Sequence, residues 1–172
     1  AVVNDGDDRV LAHGFTARNK GRASSCRSQR TLGGRDDAGH AGVALQGGTL
    51  YVGGEFLTVD HETRLRAAAL SATNGALLPW DPAIGYPDGL EAVHALEAGG
   101  ASVFVGGSFS AIEAIARDRL AAIALGTGAL TPWAPAVDGM VQRILIAGDR
   151  VIVAGVFAHL QGEPRTGLAM VH

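Results

Sequence analysis

Leu50-Tyr51-Val52-Gly53-Gly54-Glu55-Phe56 returns 53 residues later as Val103-Phe104-Val105-Gly106-Gly107-Ser108-Phe109, and 48 residues after that as Val151-Ile152-Val153-Ala154-Gly155-Val156-Phe157. Self-similarity at a near-constant period decides an architecture before any single residue does. The flanking blocks repeat as well. Arg66-Ala67-Ala68-Ala69-Leu70 matches Arg119-Leu120-Ala121-Ala122-Ile123, with Leu168-Ala169-Met170-Val171 at that place in the third unit. Further on, Gly75-Ala76-Leu77-Leu78-Pro79-Trp80-Asp81-Pro82-Ala83 matches Gly128-Ala129-Leu130-Thr131-Pro132-Trp133-Ala134-Pro135-Ala136. Upstream, Val93-His94-Ala95-Leu96 matches Val141-Gln142-Arg143-Ile144, and Val43-Ala44-Leu45 is the candidate counterpart in the first unit.

Each apolar piece is short and bounded by Gly, Asp, Asn or Pro, which is how strands joined by tight turns read. Four short strands in a unit of roughly 50 residues make the blade of a β-propeller. The expected fold is therefore all-β: an incomplete propeller of about three four-stranded blades. Residues 43–92 and 93–140 form two blades and 141–172 a truncated third. A single blade cannot cover both of its faces, so successive units must stack. Residues 1–42 fit least well and read as a divergent blade or an irregular segment. Within them Arg9 to Phe15 resembles a degraded copy of the Gly-Gly-x-Phe strand, and Arg18 to Arg35 holds six basic and no acidic residues. That Arg/Ser/Gly bias also suits a shifted reading frame. Ala111 to Leu125 alone would read as an amphipathic helix, with Ile112, Ile115, Leu120 and Ile123 on one face. The repeat favours a strand over 119–125 and leaves room for a helical turn over 111–117.

Composition narrows the function classes. The chain has 172 residues, 47% of them apolar, so disorder throughout is excluded. No apolar run reaches the roughly 18 residues of a membrane-spanning helix. A formal charge of -3 argues against a general nucleic-acid binder. The single cysteine, Cys26, forbids an internal disulfide or a Cys-rich metal site. Glycine, 25 residues, is about twice its usual share, as many tight turns demand. The chain starts at Ala1, and its first residues do not read as a signal peptide.

The candidate site residues are the repeated ones. Gly53, Gly54, Gly106, Gly107 and Gly155 lie between strand residues and lead into Phe56, Phe109 and Phe157. They read as close backbone approaches, not as a phosphate loop, which opens a helix. Trp80 and Trp133 each stand inside Pro-Trp-x-Pro and read as wedges between blades, with a ligand-stacking platform as the alternative. Arg64, Arg117 and Arg165 each follow the repeated Phe by eight residues. A guanidinium is a planar fork of donors, so a clamp onto an adjacent blade is expected, and a ring around an anionic ligand is the alternative. Asp60-His61-Glu62, the oxygen-rich Asn4 to Asp8 and the scattered histidines His94, His159 and His172 do not repeat. No catalytic residue, cofactor-binding residue or metal ligand is assigned, and no cofactor is expected.

These blocks, in this order, resemble the repeat of bacterial extracellular β-propeller proteins of the delta-sixty type, and a similar repeat occurs in fungal cortical polarity markers. The resemblance covers about residues 43–172. It implies a propeller on a secreted or cell-surface protein and carries no catalytic residue with it. The family's turn reads Leu-Asp-x-x-Thr-Gly, whereas Ser71 and Ala124 stand near the place of the Asp. Ala69 through Trp80 and Ala122 through Trp133 are also similar to the tryptophan-docking repeats of quinoprotein dehydrogenases. The expected function is a non-enzymatic interaction scaffold that binds protein or carbohydrate through its blade loops, outside the cell or on its surface. Further blades of a longer chain are expected as partners, and nucleic acid and a membrane span are not. A quinone-dependent oxidoreductase domain and a structural spacer are the alternatives.

Overall fold

The computed structural model describes residues 42–172, together with the backbone of Val3–Asn4, Arg9–Ala12, Phe15–Arg18, Cys26–Arg27 and the first two residues of the strand beginning at His40. Arg9–Ala12 and Phe15–Arg18 form an antiparallel hairpin, where a single strand was expected over Arg9 to Phe15. The other readings of residues 1–42 (the divergent unit, the shifted frame over Arg18 to Arg35, the oxygen-rich turn and the Cys26 side chain) lie outside the described residues.

Three antiparallel sheets follow in chain order. The first contains β1 (His40–Gln46), β2 (Thr49–Gly53) and β3 (Ala67–Ser71). The second contains β4 (Val93–Gly99), β5 (Ser102–Gly107) and β6 (Leu120–Ala124). The third contains β7 (Met140–Ala147), β8 (Arg150–Val156) and β9 (Leu168–Val171). Cys26–Arg27 pairs with the start of β1 as a short fourth strand of the first sheet, and beyond the third strand of the first two sheets pairing is reduced to single bridges, Leu70 with Leu77 and Ile123 with Leu130. The described part of the chain is all-β and holds no helix. Over 111–116 two-residue strands, Ala111–Ile112 and Ile115–Ala116, form a tight hairpin in place of the helical turn that the apolar spacing allowed.

The registers fix which residues correspond. Gly42 pairs with Gly53, Ala95 with Gly106 and Arg143 with Ala154. Val43 therefore stands with Leu96 and Ile144, three places away from the Val93 of the sequence match. A bulge between Val93 and Ala95, repeated between Val141 and Arg143, displaces the start of β4 and β7.

Strand alternation gives each sheet two apolar faces. On one face of the second sheet lie Leu96, Val103, Val105, Ala121 and Ile123, which cluster with Ala44, Tyr51, Ala67 and Ala69 of the first sheet. On one face of the third lie Ile144, Val151, Val153, Ala169 and Val171, which cluster with Phe104 and Leu120 of the second. Phe104 and Leu120 are the counterparts of Tyr51 and Ala67, so both junctions join the same two faces of the unit. Each aliphatic side chain buried this way contributes roughly 1.5–3 kcal/mol. The first strands lie side by side, β4 between β1 and β7. Gly53 and Gly106 permit that approach: a Cβ at Gly53 would collide with Cγ1 of Val93, and one at Gly106 would lie 2.5 Å from Cγ1 of Val141. Ala154 occupies the same position in the third sheet.

Candidate functional site

All three units send their β2–β3-type loops (54–66, 107–119 and 155–167) to one end of the stack. Each loop is closed by the same pair of backbone bonds. The amides of Arg66, Arg119 and Gly167 donate to the carbonyls of Phe56, Phe109 and Phe157, and the amides of Gly54, Gly107 and Gly155 donate back to the carbonyls of Arg66, Arg119 and Gly167. Residue 66, 119 or 167 takes positive φ, at 63°, 65° and 71°. In the second and third units the glycine that follows has no room for a side chain: a Cβ at Gly107 would strike the Ala92 carbonyl, and one at Gly155 the Met140 carbonyl. Inside each loop a two-residue turn joins two short strands, and both turn residues have positive φ: Asp60 and His61, Glu113 and Ala114, Gln161 and Gly162. That is the demand of a type I′ hairpin.

The connector leaving each sheet then pairs with the hairpin of the next. Ile84 bridges Ile112 and Val137 bridges Leu160. The Glu113 amide donates to the Ala83 carbonyl and the Gln161 amide to that of Ala136. The second and third hairpins are thus held at both the sheet and the connector, while all three tips stay exposed.

Arg64, Arg117 and Arg165 do not cross between sheets. Arg64 Nη2 donates to the Leu78 carbonyl at 3.4 Å, and Arg117 Nη2 to the matching Thr131 carbonyl at 3.3 Å, both within their own unit. Arg165 donates to the Pro164 carbonyl. The expected inter-sheet clamp is made two residues later. Arg66, 1% exposed, donates to the carbonyls of Glu91 at 2.6 Å, Ile84 at 3.2 Å and Gly89 at 2.6 Å. Arg119 donates to the Val137 carbonyl at 3.0 Å, the counterpart of the Ile84 bond. Gly167 has that place in the third unit, and a shallow hollow of about 520 Å³ opens there, lined by Asp138, Phe157, Thr166 and Gly167 among others. The repeated Arg-x-x-apolar block marks both Arg66 and Arg119 in the sequence. What the sequence does not show is that a residue at positive φ turns its side chain under the connector.

An acidic residue just before each following sheet secures the next hairpin. Glu91 accepts from the amides of Tyr86 at 2.7 Å and Ser110 at 2.9 Å and from the Ser110 hydroxyl at 2.8 Å. Burial pushes its carboxyl up, but these donors and the Arg66 charge outweigh it and hold it below its ordinary value. Asp138 accepts from the amides of Ala158 and His159, each at 2.9 Å, and meets the His159 ring Nδ1 at 2.8 Å. The His159 amide and ring, then the Ala158 amide, lower its carboxyl to about 2.

The two indoles have matching surroundings. Trp80 stands edge-on to Tyr51 (centroids 5.0 Å apart, planes at 75°) and donates to the Ala124 carbonyl of the second sheet at 3.0 Å. Trp133 stands edge-on to Phe104 (5.1 Å, 86°) and donates to the His172 carbonyl of the third sheet at 2.9 Å. Each indole fills the seam between its own sheet and the next. With 4% exposure, Trp80 offers no free face for stacking. Its edge, with Tyr51, Gln46, Thr49 and Thr127, borders a cleft of about 430 Å³ at the opposite end of the first junction from the hairpins. In the nearby turns, Asn74 Oδ1 accepts from the Ala76 amide and Thr127 Oγ1 from the Ala129 amide, each two residues on.

The surface with the most varied chemistry is the hairpin end. Its tips read Asp60-His61, Glu113-Ala114 and Gln161-Gly162 on one backbone shape, and Tyr86 and Leu90 project from the longer first connector. Asp60-His61-Glu62 is such a tip, with its side chains exposed. Among the described residues no group of three His, Cys, Asp or Glu side chains is placed to hold a metal ion, and no helix is long and apolar enough to cross a membrane. No protein-family model matches the chain, and no curated protein matches it significantly.

Proposed function

We propose that the chain is part of a β-propeller that serves as a non-enzymatic binding scaffold on a secreted or cell-surface protein, engaging protein or carbohydrate through its hairpin end. The observation that carries this reading is the contrast within each unit. The strand registers and the loop-closing backbone bonds recur from unit to unit, and the first two units share an indole at the same seam, whereas the hairpin tips carry different side chains from one unit to the next. A purely structural spacer has no use for that variation, because binding specificity belongs to loops set on a rigid scaffold. Side-by-side first strands and face-to-face sheets are the arrangement from which a propeller is built.

The test replaces all three tips, Asp60-His61, Glu113-Ala114 and Gln161-Gly162, with Asn-Gly, which suits the turn geometry and keeps the fold. Both proteins are then compared on arrays of glycans and of surface-protein peptides. Binding by the native chain that the variant has lost supports the reading. Binding that survives the exchange, or no binding to either array, counts against it. A change in visible absorbance on adding a quinone with calcium would move the assignment to the oxidoreductase class.

A further inference from the structure

The second junction holds an acid that the first does without. Glu97 of β4 pairs with Phe104 and stands where Ala44 stands in the first sheet. Phe104 packs against the third sheet, on the face of Val151, Val153, Ala169 and Val171. Paired residues project to the same side, so Glu97 faces that apolar surface too. Its Oε2 is buried and accepts no hydrogen bond.

The elements packed around it supply no countercharge. β1 over 42–46, β5, β6 and β9 carry no titratable side chain, and neither does the connector from Leu125 to Val137. On β7 and β8, Arg143 and Arg150 take the alternate positions, on the face turned away from the second sheet, and His172 continues that side just past β9. Arg143 donates to the Gln142 carbonyl, and Arg150 meets Asp149 and the Met170 sulfur. Arg119 and Asp138 are engaged at the hairpin end, by the Val137 carbonyl and by His159. His94 lies in the bulge of β4, three residues before Glu97. None of these groups displaces the Glu97 carboxyl: burial alone raises it above its ordinary value of 4.5.

We propose that Glu97 is a proton-operated latch between the second and third sheets: the junction is held most firmly with the carboxyl protonated and loosens when it ionises. An ionised carboxylate on this face has given up water without gaining a partner, and the neutral acid gives up far less. Ala44 at the first junction shows that stacking itself asks for no acid here. In an opened junction the carboxyl meets water and returns to its ordinary value, so its value is higher closed than open. Closure is therefore fully favoured below about pH 4.5 and loses that advantage as the pH rises through the closed value. Glu91 and Asp138 are held below their ordinary values and act in the opposite sense, at lower pH. A looser junction lets the third hairpin shift relative to the second, whatever the hairpin end binds.

The test follows hydrogen exchange of the two indole N–H groups in the isotope-labelled full chain across neutral and mildly acidic pH. The Trp133 N–H crosses the second seam to the His172 carbonyl, and the Trp80 N–H crosses the first to the Ala124 carbonyl. In the native chain the protection of Trp133 should fall as the pH rises above about 4.5, no more steeply than about tenfold per pH unit, the limit for one linked proton. In Glu97→Gln, a neutral side chain of the same shape, Trp133 should keep the protection that the native chain reaches at low pH. The difference between the two proteins at Trp80 should not change with pH. The carboxyl carbon of Glu97 in the native chain should titrate above 4.5, a measurement that keeps the proposal open to refutation if the variant fails to fold. Three results would overturn it: Glu97 titrating at or below 4.5, one pH profile for Trp133 in both proteins, or an equal Glu97-dependent change at Trp80.

Discussion

The junction between the first and second sheets and the junction between the second and third are built on one plan and finished differently. Both put the same faces together, and both close the seam with an indole that donates to the next sheet. At the first, Arg66 is buried under a long connector and binds three carbonyls, and the Tyr51 hydroxyl adds a bond to the Leu125 carbonyl at 3.2 Å. At the second the connector is shorter, Arg119 binds one carbonyl, Phe104 replaces Tyr51, and Glu97 replaces Ala44 on the contact face. Burial pushes the Glu97 carboxyl up, and its Oε2 has no hydrogen-bond partner. The apolar faces and backbone bonds are thus what makes two units stack. The polar groups decide how tightly the connector, and with it the next hairpin, is held.

The sharpest way to break this contrast is to remove the guanidinium at each junction. Arg66→Leu leaves three buried or half-buried carbonyls without their donor and should cost about 3–5 kcal/mol, since each such loss is worth roughly 1–3 kcal/mol. Arg119→Leu removes one bond at a half-exposed site and should cost about 1 kcal/mol. Urea unfolding of both variants checks the ratio. Equal losses would mean that the connector length, and not the buried fork, sets the difference.

The indoles test what the junctions share. Trp80→Phe keeps most of the apolar contact with Tyr51 but drops the bond to Ala124 and leaves a gap, a loss of about 1–2 kcal/mol. Trp133→Phe removes the same bond at a half-exposed position and should cost under about 1 kcal/mol. Thermal denaturation of the two proteins in parallel should show the larger drop for Trp80→Phe.

How much of this could be read from the residues follows from where their information lies. The near-constant recurrence of Gly-Gly-x-Phe, Arg-x-x-apolar and Pro-Trp was enough to read an all-β chain and to match Trp80 with Trp133, because similar sequence in similar context packs alike. The role of Arg66 was not legible, since it depends on a backbone at positive φ within a loop, and nothing local to Arg demands that conformation. Arg64 was the more conspicuous residue for its threefold recurrence, yet it serves its own sheet. The helical stripe over 111–125 misled for a related reason. Hairpin and strand place Ile112, Leu120 and Ile123 inside, and the intervening turn mimics a period of 3.6. The match of Val43 to Val93 failed by three places, because a short run of small apolar residues carries no mark of its register; pairing with Val52 and Val105 puts Val43 with Leu96.

The turn at 113–114 offers a gain in place of a loss. Ala114 has φ 62°, whereas the third hairpin has Gly162 at φ 81° in the same position. A non-glycine residue in the left-handed region costs roughly 1–2 kcal/mol, part of which glycine returns as greater freedom in the unfolded chain. Ala114→Gly should therefore raise stability by about 0.5–1 kcal/mol, and Gly162→Ala should lower it by a similar amount. Chemical denaturation measures both, and a loss in the first variant would mean that the Ala114 methyl makes a contact stronger than the backbone preference.

The smallest effect expected is electrostatic and separates the acids that hold the second and third hairpins. Asp138 titrates at about 2 in the folded chain, against an ordinary 3.8. The folded state therefore prefers the carboxylate, and the contribution is complete above about pH 4. It declines as the pH falls through the ordinary value and is lost once the pH drops below the folded value near 2. Asp138→Asn keeps an acceptor for the amides of Ala158 and His159 and imitates the protonated side chain. The gap in urea midpoint between the native chain and this variant should be constant from pH 7 to 5 and shrink steadily towards pH 2.5. Glu91→Gln should give a gap of the same sign and direction at the first junction, because the Glu91 carboxyl is also held below its ordinary value. Asp138 is exposed, so added salt should narrow its gap. Glu91 bonds inward to Ser110 beside the buried Arg66, so salt should alter its gap less. A pH-independent gap for Asp138→Asn would show that the carbonyl oxygen alone, and not the charge, organises the third hairpin.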